Sequence, residues 1–213
     1  MRKQQAVDVE PAGGDPLDEL VGTVLSQHTS DLNSGRAFAA LKARFHNWDE
    51  VVDVPVDELA EVIKSGGLAN IKAARIQGIF GEIERREGGV SLDRFHEMTD
   101  EEVENYLVSL PGVGPKTAAC VIAFALARPA FPIDTHVHRI VKRLGWIDGK
   151  ASAEKAHREL TPIIPSEIRY ELHRRFIRHG RELCKPQTPR CSECPLVDLC
   201  AAGPVLLASG AAR

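Results

Sequence analysis

The chain reads as an all-α protein, and three features of its 213 residues predict this. Apolar residues recur at i, i+3, i+4 and i+7, the spacing of a helix with one buried face. No run alternates apolar and polar residues convincingly enough to make a half-buried strand. Helix start and stop signals also punctuate the chain at short intervals. The length suits one or two domains.

The elements follow in order. Leu17, Leu20, Val21, Val24 and Leu25 mark a first helix behind Pro16, a residue suited to the first helical turn. Phe38, Leu41 and Phe45 mark a second, and Val56, Leu59 and Ile63 a third. Ile76, Ile79, Phe80 and Ile83 form the clearest stripe, which Gly88-Gly89 stops. Thr99 with Glu102 is a capping-box pair, opening a helix through Tyr106 and Leu107 that ends near Pro111. An almost wholly apolar helix follows from Thr117 to Phe124, and Arg128-Pro129 behind it is the natural domain boundary. A further helix begins after Asp134 and runs through Val141, Lys142 and Leu144. There is no internal repeat or low-complexity tract, and the tail beyond Pro204 is expected to fray.

Composition bounds the class of function. The chain is 43% hydrophobic and 27% charged, as in ordinary globular proteins. No stretch approaches the roughly 18 apolar residues of a membrane span, and the first dozen residues lack a signal-peptide core. A cytoplasmic protein with no membrane partner is expected, associated with the nucleoid if the source is bacterial. Five cysteines in a reducing compartment suit metal binding or core packing better than disulfides. The net charge of −3 argues against a nucleic-acid partner, but the charge is uneven. Residues 1–60 carry five Lys/Arg against eleven Asp/Glu, whereas residues 168–190 carry seven against two. The second half can therefore present a basic footprint.

Leu110-Pro111-Gly112-Val113-Gly114-Pro115-Lys116 joins two helices and has the form of a helix-hairpin-helix. Such a turn directs backbone N–H groups at a helix start, where Gly112, Val113 and Gly114 can hold a phosphate of DNA. A tight αα turn is the structural alternative. Lys116 falls near the second helical position, where the helix field disfavours a cation, so local stability does not explain it. Attack on a sugar carbon, by contrast, needs a free amine. Asp134 stands 18 residues further on, just before a helix. It can serve as an N-cap, and a capping carboxylate is also rigid enough to stabilise a developing positive charge.

Cys184, Cys191, Cys194 and Cys200 have the spacing C-x6-C-x2-C-x5-C. Four thiolates in one loop suit either tetrahedral zinc or an iron-sulfur cube, and spacing alone leaves both open. Lys185 and Arg190 lie between the first two ligands and can offer charge to phosphate. Cys120 stands apart in the apolar helix and reads as core.

The hairpin, Lys116, Asp134 and this cysteine spacing resemble the endonuclease III family of DNA glycosylases, from about Leu17 to Cys200. The resemblance implies a helix-hairpin-helix glycosylase fold in which two helical domains flank a DNA-binding cleft. One would be a six-helix domain over residues 14–128, the other a cluster domain of residues 1–13 and 129–213. It implies a 4Fe-4S cluster on the four cysteines. It also implies that Lys116 displaces the base at C1′ and forms a Schiff base, and that Asp134 activates the amine. Oxidised pyrimidines and abasic sites in double-stranded DNA are the implied substrates, and the protein would act as a monomer. His28 and Leu68 match the loops that enter the helix around an extruded base, although the family often has glutamine at His28. Two other readings remain: a monofunctional adenine-mispair glycosylase, which would use glutamate where this chain has Thr23, and a non-catalytic iron-sulfur DNA-binding protein. The arginines and lysine of 139, 142, 143, 174, 175 and 178 fit a DNA face or helix ion pairs.

Overall fold

The computed structural model describes residues 13–212, which form helices and turns with no strand among them. The proposed contribution of residues 1–12 to a cluster domain lies outside the described residues. Two compact units meet in sequence at Arg128 and Pro129.

The first unit holds α1 to α6. Asp15 caps α1 (Pro16–Ser26), its carboxylate accepting from the Leu17 N–H at 2.7 Å. Leu17, Leu20, Val21, Val24 and Leu25 are all buried along it. Against α1 pack α2 (Asp31–Arg44), capped by Ser30, and α6 (Pro115–Cys120). The helix α3 (Val56–Val62) packs on α4 (Ala69–Glu87), whose buried face is Ile76, Ile79, Phe80 and Ile83. Gly88 ends α4 at φ +79°, a left-handed position that favours glycine. Both bonds of the Thr99–Glu102 capping box are present at the start of α5 (Asp100–Val108).

The apolar run behind Lys116 is not one regular helix. After Cys120 it widens into a π-helical turn, Val121–Ala125, that also packs on α1. An unbroken apolar run carries no periodic signal that could have shown the change of pitch. Gly13 belongs to this unit, facing the Ala125 carbonyl across 3.5 Å from its Cβ position, and the Gly14 N–H donates to that oxygen at 2.8 Å.

The second unit holds α7 (Thr135–Leu144), α8 (Ala153–Leu160), α9 (Arg169–Glu182) and α10 (Gly203–Ala208). Val137, Ile140 and Val141 of α7 meet Phe131, Ile133, Leu160 and Phe176 in one core. The tail beyond Pro204, expected to fray, instead forms α10. Proline is tolerated in its first turn, and Leu206 gives the helix an apolar contact by lining the recess enclosed by the cysteine loop. No helix among the described residues is long and apolar enough to cross a membrane.

Candidate active site and cysteine loop

The turn between α5 and α6 is fixed by its residues. Gly112 sits at φ +72°, a conformation that favours glycine, and its Cβ position lies 2.6 Å from Arg75 Nε, so a side chain there would also displace that guanidinium. Val113 serves the turn itself: its side chain is buried and its N–H donates to the Leu110 carbonyl at 3.2 Å. Gly114 is the N-cap of α6 and Pro115 follows it, with no side chain capping the helix. The first N–H groups of α6 therefore remain directed at the positive helix end, suited to an anion.

Lys116 is half-buried at the second position of α6. A carboxylate that the sequence pattern does not single out lies within its electrostatic reach. Glu19 of α1 accepts from Thr23 Oγ1 at 3.0 Å, and burial raises its pKa, with the Thr23 bond and Lys116 pulling the other way. The available signal was the i, i+4 pair Glu19 and Thr23 on a largely apolar helix that packs on α6. A raised carboxyl pKa means that the folded state penalises the charge, fully at neutral pH and not at all below the unfolded value near 4.5. Glu19→Gln should therefore melt at a higher temperature than the parent chain at pH 8. Paired melts should show that gain shrinking as pH falls toward 5, and an equal gain at both pH values would contradict the assignment.

Asp134 is the N-cap of α7, and its Oδ1 accepts from the Val137 N–H at 2.7 Å. It lies in the second unit, whereas Lys116 and the hairpin lie in the first. His28 and Leu68, both exposed, occupy left-handed backbone at φ 54° and 50°. Non-glycine residues in that region carry strain, which concentrates at functional loop tips. Leu68 is 52% exposed.

All four C-terminal cysteines line one recess, whose other walls include Ile140, Leu144, Leu183 and Leu206. Burial raises the pKa of Cys191 and Cys194, and the neighbouring thiolates raise both further. Bound cationic metal is what would hold such a set as thiolates. Among the described residues, no three His, Cys, Asp or Glu side chains stand ready around a single ion. Cys120 is apart from the cysteines of the recess, buried in α6.

Two arginines expected at a DNA face or in helix ion pairs turn out to hold this loop. Arg139 donates to the carbonyls of Cys184 and Gly180 at 2.9 and 3.0 Å. Arg143 donates to those of Lys185 and Pro186, both at 2.7 Å, and to Cys184 Sγ at 3.2 Å. Carbonyls crowded at a loop closed around sulfur need donors, and the fork of a guanidinium supplies several at once. Arg175 and Arg178 do form helix ion pairs, with Glu171 and Glu182. Lys185 is exposed, while Arg190 is engaged by Glu193 at 2.5 Å, which reduces the charge it can offer elsewhere.

The family model for HhH-GPD superfamily base excision DNA repair proteins matches residues 21–166. That for the iron-sulfur binding domain of endonuclease III matches residues 184–200, which begin and end on cysteines of the recess. The chain is 38% identical over 197 residues to endonuclease III of Bacillus subtilis, covering 92% of this chain and 85% of that one. It is also 38% identical over 190 residues to a candidate DNA glycosylase of Arabidopsis thaliana, covering 85% of this chain but only 65% of the relative's length. An endonuclease III solved in a non-covalent complex with DNA superposes with a TM-score of 0.79 at 33% identity, covering 94% of this chain and 89% of that one. The chain belongs to the endonuclease III family of base excision repair glycosylases, and its cofactor is a 4Fe-4S cluster.

Proposed function

We propose that this chain is a bifunctional DNA glycosylase and abasic-site lyase that removes oxidised pyrimidines from double-stranded DNA. The observation that carries the reading is Lys116, half-buried directly behind the hairpin turn and within electrostatic reach of Glu19. Its Nζ lone pair attacks C1′ as the N-glycosidic bond breaks and the bonding electrons leave with the base. Breaking of the C1′–O4′ bond then opens the sugar ring, leaving O4′ as a hydroxyl and C1′ as the protonated Schiff base, and removal of a C2′ proton expels the 3′ phosphate by β-elimination. Asp134, held by its bond to the α7 N-terminus, accepts the lysine proton and faces the positive charge developing on the sugar. Buried Thr23 occupies the position where the adenine-mispair branch would place glutamate, which disfavours that alternative.

The turn of Gly112, Val113 and Gly114 grips a phosphate, Lys185 adds charge, and His28 and Leu68 enter the helix around the extruded base. Arg190 contributes less, because Glu193 already pairs with it. Cys184, Cys191, Cys194 and Cys200 hold the cluster, which supplies rigidity to the loop, since lyase chemistry moves no net electrons. The protein works as a monomer on DNA in the cytoplasm.

Borohydride, which reduces a Schiff base to a stable amine, tests this on cluster-loaded protein. Duplexes carrying an abasic site or an oxidised pyrimidine should both give a covalent protein–DNA band. A band on the abasic duplex alone would remove the glycosylase half of the reading. No band on either would leave a monofunctional or binding-only protein.

A further inference from the structure

A helix C-terminus leaves carbonyls without in-helix donors and favours a nearby cation, yet the last turn of α1 contains no basic residue. The cation comes from α4. Lys72 is only 2% exposed, and its Nζ donates to the Leu25 carbonyl at 2.6 Å and to the Gly66 carbonyl at 2.7 Å. The first acceptor lies in the last turn of α1, and the second ends the short 3-10 turn Lys64–Gly66. Burial lowers the Lys72 pKa, while the two carbonyl acceptors favour its charged form. A buried ammonium with two helical ends as its partners is costly to place and therefore calls for a reason.

The residues just beyond each acceptor supply that reason. Leu25 leads within three residues to His28, and Gly66 within two to Leu68, the two exposed tips on left-handed backbone. One turn along α4, Arg75 Nη1 donates to Gln27 Oε1 at 2.6 Å, and the same guanidinium crowds the Cβ position of Gly112. At Gly78, the next position on this face, the Cβ position lies 3.6 Å from Pro111 Cγ. Residues 72, 75 and 78 thus bring both tips and the hairpin into register on one side of a single helix.

We propose that Lys72 and Arg75 are positioning residues for base extrusion, fixing the His28 tip, the Leu68 tip and the hairpin in one register. Unstacking a base is unfavourable, and inserted side chains offset it only if they are already in place when the base leaves. The assignment rests on the reading of His28 and Leu68 as inserting residues.

The test uses full-length, cluster-loaded protein on duplexes with 2-aminopurine beside the lesion, whose fluorescence rises on unstacking. Single-turnover excision is measured on a fully paired duplex and on one with the lesion in a short mismatched bubble, where little extrusion is needed. Lys72→Met keeps the length of the side chain and removes its donors. It should lose the fluorescence rise and slow excision about tenfold or more on the paired duplex, with most of the rate regained on the bubble. Arg75→Gln and Gln27→Ala, at less buried positions, should show the same split more weakly, and they decide the matter if Lys72→Met does not fold. Equal losses on both substrates would mean structural damage only, and unchanged rates on the paired duplex would also overturn the proposal. His28→Ala and Leu68→Ala separate the two readings. If both keep the full rise, the insertion reading fails. If they lose it while Lys72→Met keeps it, only the positioning assignment fails.

Discussion

Lys116→Ala is expected to give no borohydride-trapped band on any substrate and to lower excision by on the order of a thousandfold or more, about 4 kcal/mol of barrier. Lys116 has as its other described interaction the electrostatic one with Glu19. It caps nothing, stands at the second position of α6 and is half-buried, so alanine, the best helix former, should leave the fold intact. Duplex binding should fall by little, because the phosphate grip comes from the backbone of the preceding turn. Full cleavage by the variant would assign the nucleophile elsewhere, and unimpaired binding with no cleavage would isolate the chemical step.

Asp134 needs a subtler experiment because it has a structural bond as well. Asparagine caps a helix about as well as aspartate, whereas alanine forfeits the bond to Val137 at a cost of about 1 kcal/mol. Asp134→Asn should therefore melt close to the parent temperature and yet excise bases on the order of a hundredfold more slowly, having lost the charge and the proton acceptor. Asp134→Ala should lose both stability and activity. If the asparagine variant were as active as the parent chain, Asp134 would be a cap and nothing more. Thermal melts beside single-turnover assays distinguish the cases.

Much of this was legible in the sequence because it is written locally. Pro16, the Thr99–Glu102 box and Gly88 act on backbone within a few residues, and the structure places each as expected. Lys116 stood out against an apolar helix, Asp134 against the start of the next, and the cysteines by their spacing. What escaped depends on pairs far apart in the chain. Lys72 meets Leu25 across 47 positions, Arg75 meets Gln27 across 48, and Arg139 meets Cys184 across 45. A basic residue on an amphipathic stripe reads as solvated surface until the fold brings a carbonyl to it. The π turn escaped for a different reason, since residues 121–125 are uniformly apolar and any helical pitch would bury them.

Helix α7 joins two jobs that could have been kept apart. It starts at Asp134 and, about 15 Å along its axis, ends among the guanidinium groups that grip the cysteine loop. With Asp134 as the proposed catalytic carboxylate, the two ends of one helix would serve the chemistry and the cluster loop respectively, and removal of the cluster would be felt at Asp134 through the helix between them.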